Sequence, residues 1–302
     1  MYELYRLFEA KKMNKRISAV ISTISSSFCD FTLDIVVNKY NTSFILLWTT
    51  IGSFIIQLIY GCMVGISFTA ESIIYVGIYG ISMLLGYVFY VLALWRIPVA
   101  LTALIESGSL FAFLIIDSIC GYIDVNLWFC ILFILFVFSI FLFSFDTYKF
   151  DGYKIKKIKI VGILMLLVSM FFDGLEPYLI KFASNSGANE IAINMGYYLF
   201  AIPLFILIYI KKRKETKKKI VLIKKYEIIK YILLISIFEA IYYLFGTIGY
   251  INEAVVVNAV IQEIRVFLLF ILSIIVGKDK LTLKNVIAII MGMLSIVGIY
   301  LY

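Results

Sequence analysis

Residues 33–40 read LDIVVNKY, and residues 175–182 read LEPYLIKF. Leu33-Asp34 followed by Lys39-Tyr40 thus recurs as Leu175-Glu176 followed by Lys181-Phe182, each pair displaced by the same 142 positions. Both stretches lie in long apolar runs, and each of these runs opens a series of five. The ten runs fall at 17–38, 43–65, 72–94, 97–119, 126–145, 158–181, 191–210, 229–250, 254–276 and 283–302. A helix rises about 1.5 Å per residue, so roughly 20 apolar residues cross a hydrocarbon core of about 30 Å. The runs predict an all-α integral membrane protein. Because five is odd, two similar halves joined head to tail must cross the membrane in opposite senses. The expected fold is ten transmembrane helices arranged as two inverted five-helix repeats, 17–145 and 158–302, with an N-terminal tail at 1–16 and a linker at 146–157.

A second correspondence supports the repeat. Glu106 ends the sequence ALIE at 103–106 and Glu263 ends VIQE at 260–263. Each lies about nine residues into its run, which places it near mid-membrane.

The composition excludes several classes of function. With 63% hydrophobic residues, 15% charged residues and a mean hydropathy of +1.04, the chain lies outside the soluble globular range. The net charge of +8 comes from Lys and Arg in short segments between the apolar runs. That pattern points to membrane topology and anionic lipid contact, with no nucleic acid as partner. The chain has no His, which removes Ser-His and His-metal chemistry. Cys29, Cys62, Cys120 and Cys130 form no CxxC pair and read as small apolar residues. No phosphate-binding glycine loop is present, so the chain is not an ATP-driven pump by itself. Neither metal nor cofactor is expected, and the first run, which lacks a small-residue cleavage site, is not read as a removed signal peptide.

The informative residues are the charges inside the apolar runs. Asp30, Asp34, Glu106, Asp173, Glu176, Glu239 and Glu263 are acidic, whereas Arg265 is the comparably deep base. An unpaired charge at mid-membrane costs several kcal/mol, so these side chains must face the bundle interior, a water-filled cavity or one another. A carboxylate can also shed its charge by binding a proton, which is the chemistry that a proton-coupled carrier needs. Asp30 and Asp34 are four apart, and Asp173 and Glu176 three apart, so each pair shares a helix face. The alternative is structural: Asp34 and Glu176 hold Lys39 and Lys181, each about one turn further on. Pro177 removes a backbone donor and favours a kink beside Glu176. Glu263 and Arg265, two apart, point to different faces, so Arg265 needs a partner from another helix, with Glu106 and Glu239 as candidates. Tyr87, Tyr90, Tyr197 and Tyr242, with Tyr198 and Tyr243, are candidates for an aromatic cavity that accepts cations, against the alternative of helix packing and interface belts.

The stretch Tyr87–Leu114, YVFYVLALWRIPVALTALIESGSLFAFL, carries a resemblance to the EamA-like transporters of the drug/metabolite transporter superfamily. Glu106 falls on the Glu of that family's Glu-Pro pair, and Ser107 replaces the Pro. In the second half, Gly277-Lys278-Asp279-Lys280-Leu281-Thr282 resembles the family's G-E-R-L-T turn, with Lys278 in place of Glu, and the helix that follows ends in Gly292 and Gly298. The resemblance implies a central cavity lined by the first, third, fourth, sixth, eighth and ninth spans. It also implies that the first and sixth spans correspond to the helix bearing the essential Glu of small multidrug resistance proteins.

The expectation from residues and resemblance together is a secondary active transporter, not an enzyme, that works by alternating access and exchanges protons for a small cationic, zwitterionic or amphipathic metabolite or drug, with efflux as one direction. The alternatives are an uptake carrier for an amino acid or related nutrient, with Arg265 holding its carboxylate, and a non-transporting membrane sensor or scaffold. The expected partners are a small-molecule substrate, protons as coupling ion and membrane lipid. The expected state is a monomer or homodimer in the bacterial plasma (inner) membrane. The resemblance implies cytoplasmic termini. The Lys-rich segments after the first, third, fifth, seventh and ninth spans instead place those loops in the cytoplasm and the termini outside.

Overall fold

The computed structural model describes residues 15–97, 99–119, 126–144, 160–215, 225–252, 258, 261–262, 264–277 and 282–300. These residues form helices, with no strand among them. In chain order the helices are α1 (Lys15–Lys39), α2 (Thr42–Val64), α3 (Ser72–Leu94), α4 (Val99–Glu106), α5 (Ser109–Ile119) and α6 (Leu127–Ser144). They continue as α7 (Ile160–Asn185), α8 (Glu190–Glu215), α9 (Lys225–Asn252), α10 (Arg265–Ile275) and α11 (Leu283–Tyr300). The linker expected at 146–157, residues 1–14 of the tail and Glu263 lie outside the described residues.

Seven candidate membrane spans are long and apolar enough to cross a bilayer among the described residues, and α4 with the start of α5 counts as one of them. Three shorter apolar helices lie at Leu127–Phe143, Arg265–Ile275 and Leu283–Gly298. Their outward faces are apolar. Met63, Ile74, Ile134, Leu199 and Leu207 are each more than 60% exposed, which suits hydrocarbon and would be costly in water.

The run expected at 97–119 is broken. Ser107 and Gly108 form a turn between α4 and α5, where the Ser107 hydroxyl donates to the Leu104 carbonyl at 2.7 Å. A Cβ at Gly108 would stand 2.6 Å from Met170 Sδ and 2.8 Å from the Phe136 ring, so glycine admits both neighbours at the break. The run expected at 254–276 is described as regular helix from Arg265 onward. Pro177, by contrast, sits inside α7, which runs on to Asn185.

Without a hydrophobic drive between helices in lipid, close packing relies on small residues. The inward face of α1 is built from Ser18, Ala19, Ser22, Ser25 and Ser26, all buried, and the Ser22 hydroxyl donates to the Tyr242 carbonyl of α9 at 3.2 Å. Gly80 of α3 and Gly196 of α8 meet backbone to backbone, and a Cβ on either would overlap the other helix. Gly52 of α2 likewise seats Ser236 of α9, whose Cβ would lie 2.8 Å from a Cβ added there.

The helix pairs form a regular pattern. α3 lies along α7 and α8, and α9 lies along α1 and α2. α4 and α5 pack on α7, α10 packs on α1, and α6 packs on α11. Exchanging the two halves of the chain converts α3–α7 into α9–α1, α3–α8 into α9–α2 and the packing of α4 and α5 on α7 into that of α10 on α1, and returns α6–α11 to itself.

At one end of the bundle the α2–α3 loop is clasped to the α7–α8 loop. The backbone N–H of Asn189 donates to the Ser67 carbonyl at 3.0 Å, and its side-chain Nδ2 donates to the Gly65 carbonyl at 2.8 Å. Its Oδ1 accepts from the Ala192 N–H at 3.0 Å, capping α8.

Candidate functional site

Seven helices, α1, α3, α4, α5, α7, α9 and α10, converge on a cavity of about 80 Å³. α1 contributes Ser26, Cys29 and Asp30, and α3 contributes Met83, Gly86, Tyr87 and Tyr90. Glu106 ends α4 and Ser109 begins α5, while Ser169, Asp173 and Glu176 come from α7. Glu239, Tyr242, Tyr243 and Tyr250 come from α9, with Gln262 and Arg265 beside them. These are the same six spans that the family resemblance implies.

Arg265 stands at the first position of α10 and is the one basic residue among the described lining residues. Its Nη2 donates to Glu106 Oε2 at 3.0 Å, and its Nη1 lies 3.7 Å from Asp30 Oδ2. Of the two partners expected for Arg265, the guanidinium meets Glu106, and Asp30 joins the pair from the opposite half. The Ser169 hydroxyl lies 3.2 Å from Glu106 Oε1 and 2.9 Å from the Gly86 carbonyl, where it can donate to either. Gly86 is where α3 and α7 come close at this level, since a Cβ there would stand 3.1 Å from Asp173 Oδ1.

Glu239 is held differently. Its Oε2 accepts a hydrogen bond from the Ser53 hydroxyl of α2 at 2.8 Å, while its Oε1 is buried without a hydrogen-bond partner. Behind it lies a stack of tyrosines. Tyr87 and Tyr197 meet edge-on at 6.2 Å, Tyr197 and Tyr243 lie 5.2 Å apart, and Tyr242 and Tyr243 lie 5.0 Å apart.

Five carboxyl groups, Asp30, Glu106, Asp173, Glu176 and Glu239, therefore line a cavity that holds one guanidinium. Low-dielectric surroundings strengthen every charge interaction, so this excess is held only if protons or a cationic guest offset it. Among the described residues, no group of three or more His, Cys, Asp or Glu side chains is arranged to hold a metal ion.

Three candidates, Asp34, Tyr197 and Tyr198, fall outside the lining. Asp34 lies one turn beyond Asp30, about 6 Å along the axis, and is buried past the end of the cavity at 7% exposure. Tyr197 is fully buried behind Tyr87 and Tyr243 and does not reach the cavity, because α8 packs outside α3 and α9. Glu263 lies outside the described residues. Several lining residues carry no sequence signal of their own, including Ser26, Met83, Ser109 and Gln262. Ser169 was findable, since it sits one turn before Asp173 on the same face.

Comparison with known proteins fits this arrangement. Residues 160–301 match the model of the EamA-like transporter family. The second half is thus similar to membrane transporters of that family, and the long apolar helices are those of a multi-pass integral membrane protein. No curated protein matches the chain significantly. One solved structure, described only as the crystal structure of a protein, has a similar fold. It is 14% identical and aligns over 95% of this chain and 97% of that chain, with a TM-score of 0.63.

Proposed function

We propose that this chain, whose second half matches the EamA-like transporters, is a secondary carrier that exchanges protons for a small cationic or zwitterionic metabolite by alternating access. The observation that carries the reading is the charge balance of the cavity, five carboxyl groups against Arg265. A cationic guest or protons can each satisfy those groups, so binding of one releases the other. Arg265 is already held between Glu106 and Asp30, which disfavours the alternative of an amino-acid carboxylate docked on it. The volume of about 80 Å³ favours a small solute in this state, since drug-sized ligands occupy roughly 300–1,000 Å³.

Alternating access would be carried by two inverted repeats, 17–145 and 158–302. The pairing of α3 with α7 and of α9 with α1, which exchange of the halves interconverts, supports this reading. So does the family match over 160–301, which nearly coincides with the second repeat. The proposed setting is a bacterial inner membrane, with the chain as a monomer or homodimer.

The test is a proteoliposome assay with an internal pH dye, in which organic cations, amino acids and neutral metabolites are added to the purified chain. Cation-driven proton movement, absent from empty liposomes, is the expected result. Uptake of an amino acid or neutral solute, with no response to any cation, would overturn the reading.

A further inference from the structure

The carboxyl groups of the cavity are not equivalent, and the difference locates the cation. Asp30 and Glu106 share Arg265, so that part of the cavity already contains a tethered cation. Glu239 has only the Ser53 hydroxyl on Oε2, and its Oε1 is buried and bare although the residue is only 2% exposed. The hydroxyl of Tyr87, which lines the same cavity, is also buried without a hydrogen-bond partner. The rings of Tyr87, Tyr242 and Tyr243 face the same cavity. A buried polar atom left unpaired costs free energy, so the bare Oε1 and the Tyr87 oxygen in one cavity call for a donor.

We propose that Glu239, with the Tyr87 hydroxyl and the rings of Tyr87, Tyr242 and Tyr243, is the subsite for a primary ammonium group of the carried solute. This rests on the carrier reading and refines it. An R–NH3⁺ group has three N–H donors and can serve Glu239 Oε1 and the Tyr87 oxygen together, while the ring faces stabilise its charge. A quaternary ammonium has no N–H and would leave Oε1 and the Tyr87 hydroxyl bare. The subsite thus selects primary over quaternary cations, and Arg265 keeps the cation away from Glu106 and Asp30.

Binding of radiolabelled n-propylammonium to the full chain, purified in detergent, tests the assignment, with tetramethylammonium as competitor. Loss of one charge-assisted hydrogen bond corresponds to about tenfold or more in affinity, so Glu239→Gln is expected to weaken propylammonium by that factor. Tetramethylammonium is expected to compete about tenfold less well. Wild-type affinity in Glu239→Gln, or equal competition by tetramethylammonium, would overturn the subsite. If Glu239→Gln aggregates, Tyr87→Phe decides: an affinity drop of about threefold or more supports the subsite, and an unchanged affinity overturns it. Where cations still drive proton flux in proteoliposomes, such a negative result removes the subsite and leaves the carrier. A wild-type chain that neither binds nor transports any ammonium removes both.

Discussion

Arg265 and Glu106 stand 159 positions apart in the chain and meet with Nη2 3.0 Å from Oε2, joining the start of α10 to the end of α4. Glu106 is 3% exposed, so neither charge has much water to fall back on. Removing one member of a buried pair strands the other at a cost of roughly 3–5 kcal/mol, whereas replacing both by neutral groups costs less. Arg265→Gln is therefore expected to lower the thermal unfolding temperature in detergent sharply, and Arg265→Gln with Glu106→Gln to recover more than half of that loss. A single variant as stable as the parent would show that the pair holds nothing together.

Gly77 and Gly80 lie one helical turn apart on α3 and predict opposite outcomes. A Cβ at Gly77 meets nothing within 4 Å, while one at Gly80 would overlap the Gly196 carbonyl of α8. Gly80→Ala is expected to cost about 1–3 kcal/mol or to prevent folding, because helix backbones cannot easily separate in a packed bundle. Gly77→Ala is expected to be neutral or stabilising by up to about 1 kcal/mol. Fluorescence-detected size exclusion after graded heating reads both, and similar losses at the two positions would contradict the packing argument.

The loop clasp predicts a separable effect. Asn189 caps α8 through Oδ1 and ties Gly65 through Nδ2. Asn189→Ala removes both contacts and is expected to cost about 0.5–2 kcal/mol. Asn189→Asp keeps the cap and loses the donor to Gly65. Hydrogen exchange should therefore accelerate around residues 65–72 in both variants but at the start of α8 only in the alanine variant. Acceleration at the α8 start in Asn189→Asp would show that the cap depends on the clasp.

The helices were legible in the sequence because hydrocarbon thickness fixes their length: the run expected at 72–94 is α3, Ser72–Leu94, and most others differ by a few residues at each end. The break at Ser107-Gly108 carries a local signal in its Ser-Gly pair, but the apolar run continues on both sides and masks it. It depends on Met170 and Phe136, which arrive from α7 and α6. At the site, the charged residues drew attention through the cost of burying them, which a sequence displays. The serines that hold them do not stand out, because a serine inside a span reads equally well as packing. Ser53 donates to Glu239 from 186 positions away, a pairing that only the tertiary fold creates.

Asp34 and Glu176 are equivalent in the sequence repeat yet differ in the structure. Both are buried, but Glu176 lines the cavity and Asp34 does not. If carboxyl groups in the cavity carry the protons, Glu176→Gln removes a site that a cationic guest and a proton compete for. It is expected to reduce substrate-driven proton flux about tenfold or more, with the unfolding temperature little changed. Asp34→Asn is expected to do the reverse, lowering stability while flux stays within about twofold. The two readouts must be taken on the same preparations, since a misfolded carrier also loses flux. Loss of flux in Asp34→Asn at unchanged stability would place the proton path along α1 beyond the cavity, making the repeat a better guide to coupling than the cavity wall.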